Sequence, residues 1–310
     1  GCAMEVLVVG NTAYVDDDFC AKAFPEDHVQ VVAAQDTRRD ESSPHSSWKE
    51  LLQHLDQAYE FDRMVYLSNY LTPHTDTVGD IETLRSVFRA CAGRRVQLLY
   101  VAGPAGAEGA TDAAWRTGKG IIARAANDLC RYYAAREDVQ TKILRVPFLY
   151  TASAALEDPF LVPLFDECST GSVALQGARD AAFPLLCAEE LAVLVRRIFD
   201  SWDGNFETLD VADTFHHTAG EVGDALKALF PGLAVAYGDS AGYTLPASDV
   251  ARVRYGWFQR YDLLRDLSTI QARWGAGRAN KVNPLRAAID RIQMRSLPIK
   301  CLETGVAWVL

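Results

Sequence analysis

The 310-residue sequence predicts an α/β fold, a doubly wound parallel sheet followed by a smaller lobe. Three observations predict it. Short β-branched runs alternate with segments of helical spacing over the first half of the chain, the first of these runs ends on a glycine, and the rhythm gives way after Arg145 to mixed segments punctuated by Gly and Pro. Strands covered on both faces read as continuous apolar runs, and parallel neighbours need a long crossover, usually a helix, between them.

In chain order, Glu5–Gly10 (EVLVVG) is a buried strand entering a turn. A helical stretch follows, then a second strand, Val29–Ala34, closing at Gln35-Asp36. The Ser-, Asp- and Arg-rich segment Thr37–Ser47 reads as a loop, and Trp48–Tyr59 carries helical spacing through Trp48, Leu51, Leu52 and Leu55. Arg63–Ser68 is the third strand, Asp80–Cys91 a helix, Val96–Ala102 the fourth strand, Trp115–Arg136 a long helix and Lys142–Val146 the fifth strand. Asp249–Trp274 and Asn283–Arg295 read as helices. The domain reading is therefore a sheet domain over 4–150, with sheet elements completed from 151–215, an interleaved smaller lobe over 151–275, and a basic helix with an apolar tail over 276–310.

Composition narrows the class. With 49% hydrophobic and 23% charged residues, the chain can bury a core and is not a disordered polymer. No run of eighteen apolar residues appears, and the N-terminus lacks a signal-peptide layout. Seven cysteines without C-x-x-C spacing fit reduced thiols and a cytoplasmic setting. A net charge of −10 argues against nucleic acid as a partner. The charge is uneven, since Val250–Lys300 holds eleven Lys/Arg against three acids. That basic 250–300 region is either a solvated face or a surface for an acidic protein or an anionic membrane.

Several stretches fall in the order and spacing of one known family. They are LVVGNTAYV after the first strand, Ser68-Asn69, GDIETLRSVFRAC from Gly79, WRTGK at Trp115–Lys119, RVPFLY from Arg145, and DVARVRYGW from Asp249 to Trp257. Together they resemble the extended short-chain dehydrogenase/reductases, the NAD-dependent epimerases and dehydratases of nucleotide sugars, over roughly residues 4–270. The resemblance implies a Rossmann-like fold with a small C-terminal substrate-type lobe. It also places the cofactor-binding positions at Gly10, Ala13 and Asp16 in the first turn, at Asp36 for a ribose, and at Ser68 and Asn69.

The departures from the family are as informative as the matches. Of the three turn glycines only Gly10 stands, and Asp16, followed by Asp17 and Asp18, puts carboxylates where a pyrophosphate would meet the helix N-terminus. The orienting Ser or Thr is replaced by Ala102-Gly103-Pro104. The catalytic tyrosine is replaced by Trp115, whose indole N–H only donates, leaving Lys119 without the phenol it serves. The resemblance thus implies a degenerate, inactive member acting as an interaction, dimerisation or regulatory module, with no cofactor, or NAD(P) if any. The alternative is an active epimerase, dehydratase or reductase, or a nucleotide-sugar sensor, using Thr111, Thr117, Tyr14 or Tyr150. His74 and His216-His217 read as satisfied surface histidines, and no metal site is expected.

Extended members pair through the helices corresponding here to 79–91 and 115–136, so a homodimer is expected. The second helix carries an apolar stripe of Ile121, Ile122, Ala125, Ala126, Leu129, Cys130 and Tyr133. The basic stretch and the apolar CLETGVAWVL ending resemble the degenerate epimerase-like domains of bacterial exopolysaccharide regulators of the Pel type. That likeness places the chain at the inner face of a membrane if it continues beyond Leu310.

Overall fold

The computed structural model describes residues 2–10, 14–33, 61–68, 78–104, 118–151, 158–175, 177–239 and 247–282. Its centre is a six-stranded parallel sheet built from β1 (Glu5–Gly10), β2 (His28–Ala33), β3 (Arg63–Leu67), β4 (Gln97–Ala102), β5 (Gln140–Arg145) and β9 (Phe206–Asp210), in the order β2-β1-β3-β4-β5-β9. Strands β1, β3 and β4 are buried along nearly their whole length, which is why their sequences run apolar after the first residue rather than alternating. Strand β5 is buried as well, but carries Lys142 and Arg145 paired with Glu207 and Asp210 of β9.

Helices α1 (Asp17–Ala23), α5 (Ala188–Asp200) and α7 (Val250–Tyr255) close one face over a core that includes Val8, Val65, Leu99, Leu191 and Trp257. Helices α2 (Val78–Cys91) and α3 (Gly118–Arg136) close the other over Val9, Met64, Tyr66, Tyr100 and Phe88. The lobe has its own core of Phe160, Phe165, Leu226, Leu267 and Trp274. It combines α4 (Leu161–Ser169), α6 (Ala219–Leu229) and α8 (Leu263–Val282) with two parallel strand pairs: β6 (Phe148–Tyr150) with β8 (Leu185–Cys187), and β7 (Ser172–Leu175) with β10 (Ala234–Tyr237). Among the described residues no helix is long and apolar enough to cross a membrane.

Two expectations are corrected. The helix expected over Asp249–Trp274 is two helices, because Gly256 adopts φ +60° at the end of α7. The connector after it is fastened to α5 and β8: the Trp257 indole donates to the Glu190 carbonyl (3.0 Å), Gln259 donates to the Leu185 carbonyl (2.8 Å), and the Glu190 carboxylate takes the N–H groups of Arg260 and Tyr261 (2.6 and 3.1 Å). The stripe on α3 is also displaced. Its buried face is Ala123, Ala126, Cys130 and Ala134, with Leu129 and Tyr133 half-buried, whereas Ala125 is exposed and Ile121 and Tyr132 stand 57% and 55% exposed. The side chain of Ile122 and the segments 37–47, 48–59, 115–117 and 283–295 lie outside the described residues.

Candidate functional site

The sheet order reverses at β1, with β2 on one side and β3 on the other. In open parallel sheets the crevice beyond the strand ends at such a point is where ligands sit. Register brings Gly10, Ser68 and Ala102 to this edge, since Val9 pairs with Tyr66, and Leu67 with Val101.

Gly10 closes β1 for a steric reason. A Cβ there would lie 2.9 Å from the Leu67 Cβ and 3.5 Å from Val15 Cγ1, so the strand can turn beside β3 only without a side chain. Tyr14 and Val15 then drop into the core, and the Tyr14 hydroxyl donates to the Leu149 carbonyl (3.1 Å). Burial, with the charge of Asp158, holds that phenol well above the usual tyrosine range. Tyr14 thus faces away from any proton transfer in the crevice.

Asp16 is the N-cap of α1. Its backbone is extended, its Oδ1 accepts the Phe19 N–H (2.8 Å), and its carbonyl accepts the Cys20 N–H (3.0 Å). Asp17 and Asp18 follow in the first turn, and Asp18 pairs with Lys22 one turn on (2.7 Å). Three carboxylates therefore gather at the positive end of the helix dipole. Burial, reinforced by Asp16 and Asp17, pushes the Cys20 thiol up to about 11.

Ser68 is buried, and its N–H donates to the Val101 carbonyl (2.9 Å). Ala102, Gly103 and Pro104 are likewise buried at the end of β4, where the Ala102 carbonyl takes the Val146 N–H (2.9 Å); no side-chain hydroxyl stands at these three positions. Lys119 lies in the first turn of α3, its side chain outside the described residues. Ala13, Asp36, Asn69, His74, Thr111, Trp115 and Thr117 also lie outside them. Tyr150 is fully buried, its hydroxyl finds no hydrogen-bond partner among the described residues, and burial drives its pKa far up. A phenol so placed stays protonated at neutral pH and cannot serve as a base.

One histidine expectation is corrected. His217 is not a surface group: its side chain is 11% exposed, with Nε2 2.6 Å from Asp262 Oδ1 and Nδ1 3.5 Å from Glu221 Oε2. The cause is local, because Thr218 and Glu221 form a capping box at the start of α6 and fix the preceding residue against α8. His216 is exposed. Among the described residues no group of three His, Cys, Asp or Glu side chains is placed to hold a metal ion.

Asp158 escapes a reading by family motif. It is 0% exposed and accepts three backbone N–H groups, from Thr151 (2.5 Å), Phe160 (2.7 Å) and Leu161 (2.6 Å), so it joins the end of β6 to the start of α4. Burial outweighs these bonds and raises its carboxyl to about 6. The signal was present as Asp158-Pro159 directly ahead of an apolar helical run.

No protein-family model matches the sequence, and no curated protein matches it. Solved structures do. MoeE5 in complex with UDP-glucose and NAD is 17% identical over 89% of this chain and 99% of its own, with TM-score 0.66. The dTDP-glucose 4,6-dehydratase of Bacillus anthracis in complex with NAD is 13% identical over 91% and 97%, with TM-score 0.62. The UDP-N-acetylglucosamine 4-epimerase of Bacillus cereus is 13% identical over 87% and 96%, with TM-score 0.60. With a parallel sheet reversing at β1, a lobe built beyond β5 and these likenesses along nearly the whole of each structure, the chain has the fold of the extended short-chain dehydrogenase/reductases.

Proposed function

We propose that the chain is a non-catalytic member of this fold, an interaction or regulatory module whose crevice does not hold a dinucleotide in the usual pose. The observation that carries this reading is the Asp16 cap: its carboxylate stands at the N-terminus of α1 and takes the Phe19 N–H. A pyrophosphate brought to the same N-terminus would meet the negative charge of Asp16, Asp17 and Asp18, with the Phe19 N–H already taken. The residues present therefore do not fit the group. Ala102-Gly103-Pro104 and the buried Tyr14 and Tyr150 support the same reading, since none offers a hydroxyl for proton exchange at the strand ends.

The test is thermal unfolding with millimolar NAD(H), NADP(H) or a UDP-sugar. A ligand selective for the folded state raises the midpoint by mass action, and the reading expects no rise that comes from the crevice. Turnover of a nucleotide sugar that is lost in Lys119→Ala would establish the competing reading, an NAD(P)-dependent epimerase, dehydratase or reductase. The specific observation favouring that second reading is that MoeE5 and the dehydratase carry NAD on this same architecture.

As a module, the chain pairs through α2 and α3. Their stacking of Phe88 on Tyr133 (4.6 Å between centroids) leaves Ile121 and Tyr132 outward. Sedimentation showing a monomer at every concentration would remove this route. A membrane-associated, Pel-type role in exopolysaccharide synthesis is the finer form of the proposal. It predicts that vesicles containing anionic lipid, but not neutral ones, capture the protein through its basic 250–300 region.

A further inference from the structure

A cleft of about 520 Å³ opens between α1, α5, the 256–261 connector and α8. It shares no lining residue with the strand-end crevice, because Gly10, Asp16, Ser68 and 102–104 do not reach it. Its size lies within the roughly 300–1,000 Å³ of small-molecule sites.

Most charged groups in its wall are already committed, which makes the wall rigid. The Glu190 carboxylate holds the Arg260 and Tyr261 N–H groups, and Arg197 donates to the carbonyls of Tyr255 and Gly256. Glu189 accepts from the Thr151 hydroxyl (2.8 Å) and the Cys187 thiol (2.7 Å). The side chains of four further lining residues, Arg260, Asp266, Tyr261 and Phe258, take no part in those bonds. The Asp266 carboxylate accepts no hydrogen bond among the described residues, and the Arg260 guanidinium lies 4.9 Å over the Phe258 ring without an ion pair among them. Tyr261 is 54% exposed and Phe258 51%. Behind the wall lies the unpartnered Tyr150 hydroxyl, which feels the charges of Asp266, Glu190 and Glu189.

These groups specify a ligand. An ionised carboxylate only accepts, so Asp266 calls for adjacent O–H or N–H donors. A guanidinium matches a phosphate with paired donors, and an exposed aromatic ring calls for a planar partner. A phosphorylated ribonucleoside presents all three. We propose that this cleft binds a ribonucleoside monophosphate, its phosphate on Arg260, its base against Tyr261, and its ribose diol or base N–H edge on Asp266.

The test is calorimetric titration of the full chain with 5′-GMP and 5′-AMP, with guanosine, adenosine and inorganic phosphate as separate arms. The expected result is that at least one nucleotide binds, with its nucleoside and phosphate each at least tenfold weaker. Arg260→Gln and Asp266→Asn should each weaken that binding tenfold or more while leaving the unfolding midpoint in place, since neither side chain carries a hydrogen bond of the fold among the described residues. Tyr261→Phe should bind like the parent and Tyr261→Ala should not. Absence of binding by both nucleotides at about 1 mM, the weakest affinity worth calling a site, would overturn the proposal; so would binding unchanged in both Arg260→Gln and Asp266→Asn, or nucleoside binding as tight as nucleotide. The same two variants separate this site from the crevice. A NAD-induced rise in stability that survives them belongs to the strand ends and counts against the non-catalytic reading, whereas one they abolish belongs to the cleft.

Discussion

Asp16 is the residue at which stability and ligand binding pull in opposite directions, and a small set of variants separates them. Asp16→Ala removes the acceptor of the Phe19 N–H (2.8 Å), a cap worth about 1 kcal/mol within a range of about 0.5–2. It also removes a charge at the helix N-terminus worth about 0.3–1 kcal/mol. Asp16→Asn keeps an acceptor and loses only the charge. The expected losses are therefore about 1–2 kcal/mol for alanine and under about 1 for asparagine. Helix α1 has seven residues and no stability of its own, and the N–H that would be orphaned belongs to Phe19, which is 1% exposed in the core. The alanine loss should accordingly fall toward the upper end. Urea unfolding at pH 7 measures it, and a thiol titration gives an independent check, because Asp16→Asn should lower the Cys20 pKa from about 11. Asp16→Gly supplies the third turn glycine of the family and should lose stability while gaining NAD affinity. A carboxylate about 5 Å from a phosphate charge at an effective dielectric of about 20 is repelled by roughly 3 kcal/mol before salt screening. An Asp16→Ala effect below about 0.3 kcal/mol, or equal NAD affinity in the parent and Asp16→Gly, would refute the reasoning.

Other substitutions have equally definite outcomes. Asp158, with its carboxyl raised from 3.8 to about 6, binds its proton more tightly folded than unfolded. The stability it contributes is thus present below about pH 4 and lost as pH rises through 6, on the order of 3 kcal/mol. Unfolding measured between pH 4 and 7 should show that slope, and Asp158→Asn should flatten it while costing about 1–3 kcal/mol for setting an amide against an N–H donor. Gly10→Ala should cost about 1–3 kcal/mol by driving a Cβ against Leu67, read from the denaturant midpoint. Lys142, buried between Glu207 (2.6 Å) and Asp203 (3.3 Å), should tolerate Lys142→Met far better than Lys142→Ala, because methionine refills the volume while Arg254 still pairs with both acids. Calorimetric midpoints of the two variants make the comparison.

The elements that sequence made legible are those whose pattern follows from burial alone. Strands β1, β3 and β4 are covered on both faces and so are written as apolar runs after their first residue. Strand β9, Phe206-Glu-Thr-Leu-Asp210, lies within the 151–215 span expected to complete the sheet, but it is not written as an apolar run: Glu207 reaches Lys142 and Arg254 while Asp210 takes Arg145 at 2.6 Å. Those partners lie about fifty or more residues away, so no local window contains them. The break at Gly256 is written in the sequence as Tyr-Gly-Trp between two stretches of helical spacing; the Gly256 cap and the Trp257 indole on the Glu190 carbonyl end the helix there. The cleft was invisible for the same reason at larger scale, since its lining runs from Asp18 to Arg273. In the crevice the positions were legible but their consequences were not: the sequence places an acid at 16, and only the geometry makes it a cap.

That geometry bears on what the first turn is for. A glycine before a helix N-terminus is commonly read as a phosphate signature, yet Gly10 is required here by Leu67, 2.9 Å from the Cβ it lacks, whether or not anything binds. Tyr14 and Val15 are likewise held by the core and by the Leu149 carbonyl. The parts of the turn that fold the chain are thus explained by packing, and the described position that departs from the family, Asp16, is the one whose side chain sits at the helix end. A protein in which folding and dinucleotide binding used the same atoms would lose stability with its ligand site. Here they use different ones, so Gly10→Ala should change stability without altering response to NAD, and Asp16→Gly should change both in opposite senses. A crevice that had kept its phosphate site would show Gly10→Ala and Asp16→Gly weakening NAD together.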